Sequence, residues 1–260
     1  MLLAVPDASP KDRFVTVYGR KPVLEVLDDA DLEVDKVILA DTARGPAANE
    51  ILRAARERGV VVQRASAHRV KVLAGNGKQD QGVLADVVAP RMRLLTDALR
   101  ERAPRTVLIL DGITTPANVG MILRTATAAG IGGIVLPRRG VAGIDPLVIK
   151  ASAGVAFRAP VLRVPTATEA AQTLHDSGYR LFGLAGNARR SVFTATIPGR
   201  AAFVLGGETA GVSDGVRALV DEWLAIPMAG DVESLNVASA AAVVCFELLR
   251  RRIDEQGSSR

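Results

Sequence analysis

Apolar and polar positions along residues 106–260 predict strands that alternate with helices. Residues 106–110 (TVLIL) form an almost continuous apolar run, which is typical of a strand buried on both faces of a parallel sheet. Apolar residues at helical spacing follow over 119–129, and this helix is expected to end at Gly130. The pattern repeats, with strands predicted at 134–136, 161–164, 179–184 and 203–205 and helices at 144–152 and 167–177. This order predicts an α/β fold with a mostly parallel open sheet.

The first third of the chain carries a smaller set of elements. Its residue pattern predicts helices at 22–27, 47–58 and 67–73, strands at 34–39, 60–63 and 82–88, and a turn at 75–77. Ser66 is expected to cap the third helix. These elements indicate a small α/β domain over residues 13–90, preceded by a flexible tail at 1–12. Residues 91–105 are polar and basic and predict a linker or a connecting helix, so the second domain is placed at 106–260.

The C-terminal part of the chain holds polar residues that could form a ligand site. A predicted strand ends at Gly206 and Gly207, where the missing Cβ atoms would let a ligand approach the backbone closely. Glu208 follows at once. Ser234 and Asn236 precede a long apolar helix, and both are good N-cap residues. A ligand site and an ordinary capped helix explain these residues about equally well.

Composition narrows the class of protein. The net charge is +5 and the pI is about 9.8, with arginine in excess over lysine, which is compatible with an RNA partner. Aromatic residues make up only 3%, which argues against a base-stacking sheet. No apolar run reaches the roughly 18 residues of a membrane helix, and the single cysteine fits a reducing compartment. We therefore expect a cytoplasmic protein without a membrane partner.

Common catalytic signatures are missing from the sequence. There is no dinucleotide-binding glycine motif after a strand, no P-loop and no nucleophile elbow. His68 and His175 are far apart in sequence and lack clustered cysteines, so no metal site is expected. Arg124 lies among apolar residues of a predicted helix, with Asn118 at its expected N-cap. Arg124 is either an arginine on the solvent face or one directed at a phosphate or ribose near the strand ends.

Three segments resemble, in order and spacing, the three motifs of the SpoU/TrmH branch of the SPOUT methyltransferases. They are LDGITTPANVGMILRTATAAGI at 110–131, FVLGGETAGVS at 203–213 and IPMAGDVESLNVASAAAVVCFELLR at 226–250. VYGRKPVLEVL at 17–27 and QGVLADV at 81–87 resemble the small RNA-binding domain, similar to a ribosomal protein fold, that precedes the catalytic domain in many members. The resemblance implies an RNA ribose 2′-O-methyltransferase that uses S-adenosylmethionine and has a trefoil-knotted α/β domain.

The resemblance also implies which residues form the site. The functional polar set matches Asn118, Arg124, Glu208, Ser234 and Asn236. The cofactor-contacting places match Gly206, Ile226 and Leu235, with Gly207, Met228 and Ala238 as neighbours and Leu184 as a looser one. Arg124 is the implied catalytic residue, held by Asn118 and Glu208. Since arginine does not readily give up its proton, we expect it to stabilise a developing alkoxide or to grip a phosphate.

RNA and a second copy of this chain are the two expected partners. Candidate RNA contacts are the loop residues Arg138, Arg139, Arg189 and Arg190, expected at the strand ends, and Arg20 in the N-terminal domain; plain solvated charge is the alternative. Members of this family are dimers, so the resemblance implies a homodimer, in which Arg124 could act in its own or the partner's site. The helix from Asn236 to about Arg252 is apolar on more than one face, through Val243, Val244, Phe246 and Leu249.

The substrate stays open at this point. Ribosomal RNA of the 23S type is favoured because a separate RNA-binding domain adds reach on a structured target. A transfer RNA methyltransferase and a ribosome-modifying enzyme that confers antibiotic resistance are alternatives with the same chemistry. An RNA-binding assembly factor without catalysis is the alternative outside enzymes, and the presence of Arg124, Glu208 and Asn236 counts against it.

Overall fold

The computed structural model describes residues 13–75, 80–230 and 232–257. The predicted tail at 1–12 and residues 76 and 77 of the predicted turn lie outside these ranges. The chain divides into two compact units. The first comprises the described residues up to Pro90 together with Ile144–Pro146, and the second comprises Arg91–Gly143 and the residues from Leu147 onward. No helix in the described ranges is long and apolar enough to cross a membrane.

The first unit is a four-stranded sheet with three helices. Its elements are β1 (Phe14–Tyr18), α1 (Arg20–Asp28), β2 (Val34–Ala40), α2 (Pro46–Glu57), β3 (Val61–Ala65), α3 (Ala67–Ala74) and β4 (Val83–Val88). The strand order is β1-β4-β2-β3, with β4 antiparallel to both neighbours and β2 parallel to β3. Ser66 Oγ accepts a hydrogen bond from the Arg69 N–H at 3.2 Å, which confirms the predicted cap of α3.

The second unit is built on one eight-stranded parallel sheet. Its elements are β5 (Arg93–Leu94), α4 (Leu95–Arg102), β6 (Thr106–Asp111), α5 (Pro116–Ala128), β7 (Gly133–Pro137), α6 (Pro146–Ala151), β8 (Val161–Val164), α7 (Ala167–Asp176), β9 (Arg180–Leu184), β10 (Arg190–Ser191), β11 (Ala201–Gly206), α8 (Asp214–Arg217), β12 (Glu222–Ala225) and α9 (Val237–Gly257). The strand order is β10-β12-β9-β11-β6-β7-β8-β5, and every neighbouring pair is parallel. The predicted α/β fold is confirmed.

A parallel sheet has two distinct edges, and this determines where a site can form. All its strands begin at one edge, here named the amino edge, and end at the other, here named the carboxyl edge. The central strands β6 and β11 are buried almost throughout, which explains their continuous apolar sequences. Phe182 and Phe203 stack between neighbouring strands with ring centroids 5.2 Å apart. Polar side chains at the ends of these strands are therefore attached to a buried and closely packed sheet.

Helix α5 packs closely on the segment that includes α6. A Cβ atom on Gly120 would lie 2.6 Å from the Val148 carbonyl oxygen and 2.6 Å from the Ala151 Cβ. Only glycine allows this approach, so Gly120 fixes the depth at which α5 lies. Because α5 also packs on α9, its position sets the geometry of both helices that lead into the site.

Two expectations about the elements change, and the structure decides between two alternatives. Asn118 is not the N-cap of α5: the helix begins at Pro116, a residue suited to the first turn, with Thr115 at the N-cap. Of the two alternatives for residues 91–105, the structure has the helix, α4, and the short strand β5 before it pairs with β8 within the second unit. Helix α9 continues beyond Arg252 to Gly257.

Candidate active site

Three polar side chains from distant parts of the sequence meet at the carboxyl edge. Strands β6 and β11 are neighbours, and their last residues, Asp111 and Gly206, are paired in register. The chain segments that follow them carry Asn118 and Glu208. Asn118 Nδ2 donates to Glu208 Oε1 at 2.5 Å. Asn236 Nδ2 lies 3.1 Å from both Asn118 Oδ1 and Glu208 Oε1. These three residues form what we call the polar cluster.

The ends of two helices hold the polar cluster in place. Asn118 lies in the first turn of α5 and is only 4% exposed. Asn236 directly precedes α9, and its Oδ1 accepts a hydrogen bond from the Ala238 N–H at 2.8 Å, so it is the N-cap of α9. The N-terminal turns of α5 and α9 therefore both lie beside the Glu208 carboxylate.

The loop that carries Glu208 is braced by its own backbone. Gly207 and Gly211 exchange two backbone hydrogen bonds at 3.0 and 2.9 Å. A Cβ atom on Gly206 would lie 2.5 Å from the Gly211 carbonyl carbon, and one on Gly207 would overlap the Gly112 carbonyl oxygen. Both glycines therefore let the chain's own loops come close, a structural requirement that exists in addition to any approach of a ligand to this backbone.

Asp111 also supports the site, although the resemblance implied no role for it. It is the last residue of β6, is 6% exposed, and its Oδ2 accepts a hydrogen bond from the Ser213 N–H at 2.7 Å. This bond ties the far end of the Glu208 loop to the neighbouring strand. An acid as the last residue of a buried apolar strand was the available signal, because a buried carboxylate requires a partner.

A pocket of 230 Å³ opens beside the polar cluster. It is lined by Gly112, Ile113, Thr114, Thr115, Asn118, Glu208, Thr209 and Ala210. Asn118 and Glu208 are the members of the cluster that face it. The residues expected to contact the cofactor lie outside this lining, so the pocket is a candidate place for a second molecule, beside the cofactor position.

The expected cofactor residues gather around three adjacent strand ends. In the order β12-β9-β11, these strands lead into Ile226, Leu184 and Gly206 respectively. A Cβ atom on Gly186 would lie 3.2 Å from the Glu233 carbonyl oxygen, so the segment after β9 approaches the segment before α9. Leu235 is 38% exposed there. Partly exposed apolar side chains and bare glycine backbone suit an adenosyl group, so these residues fit S-adenosylmethionine.

Two other expected cofactor neighbours flank this area. Met228 is half-buried and Ala238 is buried at the start of α9. Within the described ranges, no group of three or more His, Cys, Asp or Glu side chains could hold a metal ion.

Cys245 is buried inside α9, and burial raises the pKa of its thiol to about 12, so it is not a nucleophile near neutral pH.

The structure does not bring Arg124 into the polar cluster. Arg124 lies six residues after Asn118 on α5, which is about 9 Å along the helix and roughly 120° around it. It is exposed and makes no hydrogen bond or ion pair with any described residue. The expectation that Asn118 and Glu208 hold Arg124 is therefore wrong within one chain, because they bond to each other. Ser234 is exposed near the cluster without joining it.

The candidate RNA-binding arginines lie in different places. Arg138 and Arg139 follow β7 at the carboxyl edge, where Arg139 lies 3.8 Å from Glu169. Arg189 is exposed after β9. Arg20 is the first residue of α1 in the first unit, and its backbone N–H donates to Gln81 Oε1.

Arg190 contradicts its expected placement. It belongs to the short strand β10, and its guanidinium lies 2.8 Å from the carboxylate of Glu222, the first residue of β12. Arg190 is in register with Leu224, and Glu222 is in register with Phe182 in the middle of β9, so an ion pair within the sheet holds this side chain away from the loops.

Comparisons with known proteins identify the family of this chain. A family model described as SpoU rRNA Methylase family matches residues 105–246, and one described as RNA 2′-O ribose methyltransferase substrate binding matches residues 16–93. A 23S rRNA (guanosine-2′-O-)-methyltransferase RlmB of Xanthomonas campestris is 37% identical over 88% of this chain and 92% of its own. The RlmB of Salmonella typhimurium is 32% identical over 91% of this chain and 98% of its own.

Solved structures show the same architecture. The SpoU methyltransferase AviRb from Streptomyces viridochromogenes, in complex with the cofactor AdoMet, has a TM-score of 0.62 and 26% identity, and the match covers 97% of this chain and 96% of that one. A putative RNA methyltransferase of the TrmH family from Porphyromonas gingivalis has a TM-score of 0.61 and 28% identity, and covers 93% and 91%. The chain belongs to the SpoU rRNA methylase family and is an RNA 2′-O-ribose methyltransferase.

Proposed function

We propose that this protein transfers a methyl group from S-adenosylmethionine to a ribose 2′-oxygen of ribosomal RNA. The observation that carries the proposal is the polar cluster of Asn118, Glu208 and Asn236 beside a pocket at the carboxyl edge, in a member of this family. The pocket has room for a ribose next to the expected cofactor residues. The proposal explains why two amides and a carboxylate are held together by two helices and a braced loop.

The reaction is a single displacement at carbon. S-adenosylmethionine, when bound, supplies a methyl group already activated by its sulfonium. The ribose 2′-oxygen forms a bond to the methyl carbon, the carbon–sulfur bond breaks with its electrons staying on sulfur, and the 2′-hydroxyl proton goes to solvent or to a nearby acceptor. Because the methyl group is already reactive, the protein contributes mainly position and electrostatic stabilisation.

Each part of the site has a role in this displacement. Gly206, Ile226 and Leu235, with their neighbours, would hold the cofactor. Asn118 and Asn236 would keep the Glu208 carboxylate oriented toward the pocket, where it can accept a hydrogen bond from a ribose hydroxyl. Ser234 would complete the nucleotide side of the site. A positive charge would still be needed near the 2′-oxygen, since negative charge develops there.

Arg124 would supply that charge through a homodimer. Within one chain it lies outside the cluster, on α5, which packs on α9. The two helices carry the exposed apolar side chains Met121, Phe246 and Ile253 and the half-buried Val243 and Leu249. Covering these apolar side chains would favour association, and a second copy would bring its own Arg124 with it. Light scattering at micromolar concentration should give the mass of two chains, and the mass of one would contradict this proposal.

Ribosomal RNA is the substrate that we favour over transfer RNA. The relatives named as 23S rRNA guanosine methyltransferases match across both units, and their whole length is nearly covered. We propose residues 13–90 as the RNA substrate-binding domain and 106–260 as the methyltransferase domain, with residues 91–105 joining the sheet of the latter. Such a substrate would place the protein in the cytoplasm.

Mapping ribose methylation in cells tests the proposal. Ribosomal RNA from cells with and without the gene should differ at one 2′-O-methyl position. A gene that encodes Asn236→Ala should not restore this methyl group, although the protein accumulates to the normal level. An identical methylation map in all three strains would contradict the proposed function.

A further inference from the structure

A row of arginines lies along the amino edge, at the opposite end of the strands from the polar cluster. Arg180 is the first residue of β9, and Arg200 and Arg105 directly precede β11 and β6. The Arg180 N–H donates to the Arg200 carbonyl at 3.1 Å, and the Ala201 N–H donates to the Arg105 carbonyl at 3.0 Å. Since adjacent strands are about 4.8 Å apart, the row spans roughly 10 Å. We call these three residues the arginine row.

Carboxylates at this edge do not balance the arginine row. Glu222 binds the Arg180 guanidinium at 2.8 Å, but it also lies 2.8 Å from Arg190 and so serves two arginines. Arg200 donates to the Ser177 carbonyl at 3.1 Å and makes no ion pair with a described residue. Arg105 is exposed and likewise has no ionic partner in the described part of the chain. Asp221 also lies near this edge, where its Oδ2 accepts a hydrogen bond from the Leu181 N–H at 2.7 Å. Arg200 and Arg105 are therefore the members of the row that have no carboxylate partner within the described ranges.

A groove continues from the arginine row along the surface of the second unit. It has a volume of about 670 Å³ and begins at Arg105 and Thr106. Its lining also includes the segment 193–199 and the end of α9, where Asp254 and Glu255 lie among Arg250, Arg251 and Arg252. Phe193 in this lining is 46% exposed. Charged side chains that follow a backbone, with an aromatic ring beside them, are the combination that single-stranded RNA-binding surfaces use.

We propose that the arginine row and this groove bind the phosphate backbone of the RNA substrate outside the target nucleotide. The inference rests on the proposed function for the identity of the partner as RNA. Strand β6 separates the row from the polar cluster by six residues, or roughly 20 Å. A nucleotide in the pocket cannot reach the row itself, so the row would contact a more distant part of a folded RNA. Such contacts add affinity and orientation without reading sequence.

Salt-dependent binding with a matched control tests the proposal. The test variant is Arg105→Gln/Arg200→Gln. The control is Arg93→Gln/Arg100→Gln, which removes the same charge from arginines that pair with Glu101 and Asp97. The probe is deproteinised 23S rRNA, titrated by filter binding between 50 and 200 mM KCl. The salt slope is the slope of the logarithm of the binding constant against the logarithm of the salt concentration. We expect this slope to become shallower by roughly 1 for each arginine replaced in the test variant, which should also bind more weakly. The control should keep the wild-type slope.

Two results would overturn the proposal. Equal slopes in the wild type and the test variant would show that the row makes no phosphate contact, and equal losses in the test and control variants would show a general charge effect. The variant Phe193→Ala should bind several-fold more weakly with an unchanged salt slope, because stacking releases no counterions. Unchanged affinity of this variant would remove the groove from the interface.

The binding experiment also separates this proposal from the proposed function. Calorimetry with S-adenosylmethionine should give the same affinity for the wild type and both double variants, since the row lies far from the cofactor residues. If the wild type transfers methyl groups but the wild type and the test variant have equal salt slopes, only the proposal for the arginine row is wrong. If the salt slopes differ as expected but the wild type transfers no methyl group, the proposed function is wrong and the proposal for the row stands.

Discussion

Replacement of Gly206 by alanine tests whether the site depends on the close contact of two backbone segments. The new Cβ atom would lie 2.5 Å from the Gly211 carbonyl carbon and 2.6 Å from the Val212 nitrogen. Ordinary carbon contacts are about 3.5 Å or longer, so the overlap is roughly 1 Å. It involves backbone atoms on both sides, which cannot rotate away as a side chain does. Overpacking of this kind costs about 1–3 kcal/mol, and we expect a value in the upper half of that range.

The same substitution should weaken the site as well as the fold. Displacing Gly211 and Val212 would move the loop that carries Glu208 and would loosen the expected cofactor residues at the end of β11. We expect urea denaturation to show the loss of stability and calorimetry to show at least ten-fold weaker binding of S-adenosylmethionine. The control is Gly143→Ala, because a Cβ atom there has no neighbour within 4 Å. If Gly206→Ala matches this control in both measurements, the argument from backbone overlap is wrong.

Three further predictions address the chemistry and the stability of α5 and α9. Arg124→Ala should raise the activation free energy of single-turnover methyl transfer by about 3 kcal/mol or more, while calorimetry shows an unchanged affinity for the cofactor. Arg124→Lys should restore little of the rate. Near-normal transfer by the alanine variant would show that Arg124 has no role in the reaction. Arg252→Ala should lower the free energy of unfolding in urea by roughly 1–2 kcal/mol, because Arg252 donates to two carbonyls that end α5; unchanged stability would refute this. Hydrogen bonds from Arg250 and then Arg251 hold the pKa of Glu247 below its ordinary value, so its stabilisation is present above about pH 4.3 and is lost as the pH falls further. The stability difference between wild type and Glu247→Gln should therefore shrink toward pH 3, and a difference independent of pH would contradict it.

The central strands were predictable because they are buried on both faces. A run such as residues 106–110 reads as a strand without any knowledge of its neighbours. Strands β5 and β10 have only two residues each, which is too short for any periodic pattern. Whether residues 91–105 form a linker or part of the sheet depends on the pairing of β5 with β8, and a contact between distant segments leaves no local signal.

The sequence alone marked the candidate site residues, but only the resemblance to a family grouped them into one site. Asn118 and Glu208 are 90 residues apart, and their contact depends on the register of β6 against β11. Helix periodicity does indicate that residues 118 and 124 lie on different faces of α5, so one chain could not place both in one cluster. The direction of Arg190 depends on Glu222, which only the folded structure reveals. The trefoil knot stays a prediction.

Methyl transfer to purified RNA tests the central claim most directly. The wild-type protein would be incubated with deproteinised 23S rRNA and S-adenosylmethionine that carries a labelled methyl group, and the RNA would then be hydrolysed in alkali. The account predicts that the label remains in a single alkali-resistant dinucleotide, because a methylated 2′-oxygen cannot attack the adjacent phosphate. Label in a base, or no label from a protein that binds both S-adenosylmethionine and the RNA, would contradict it.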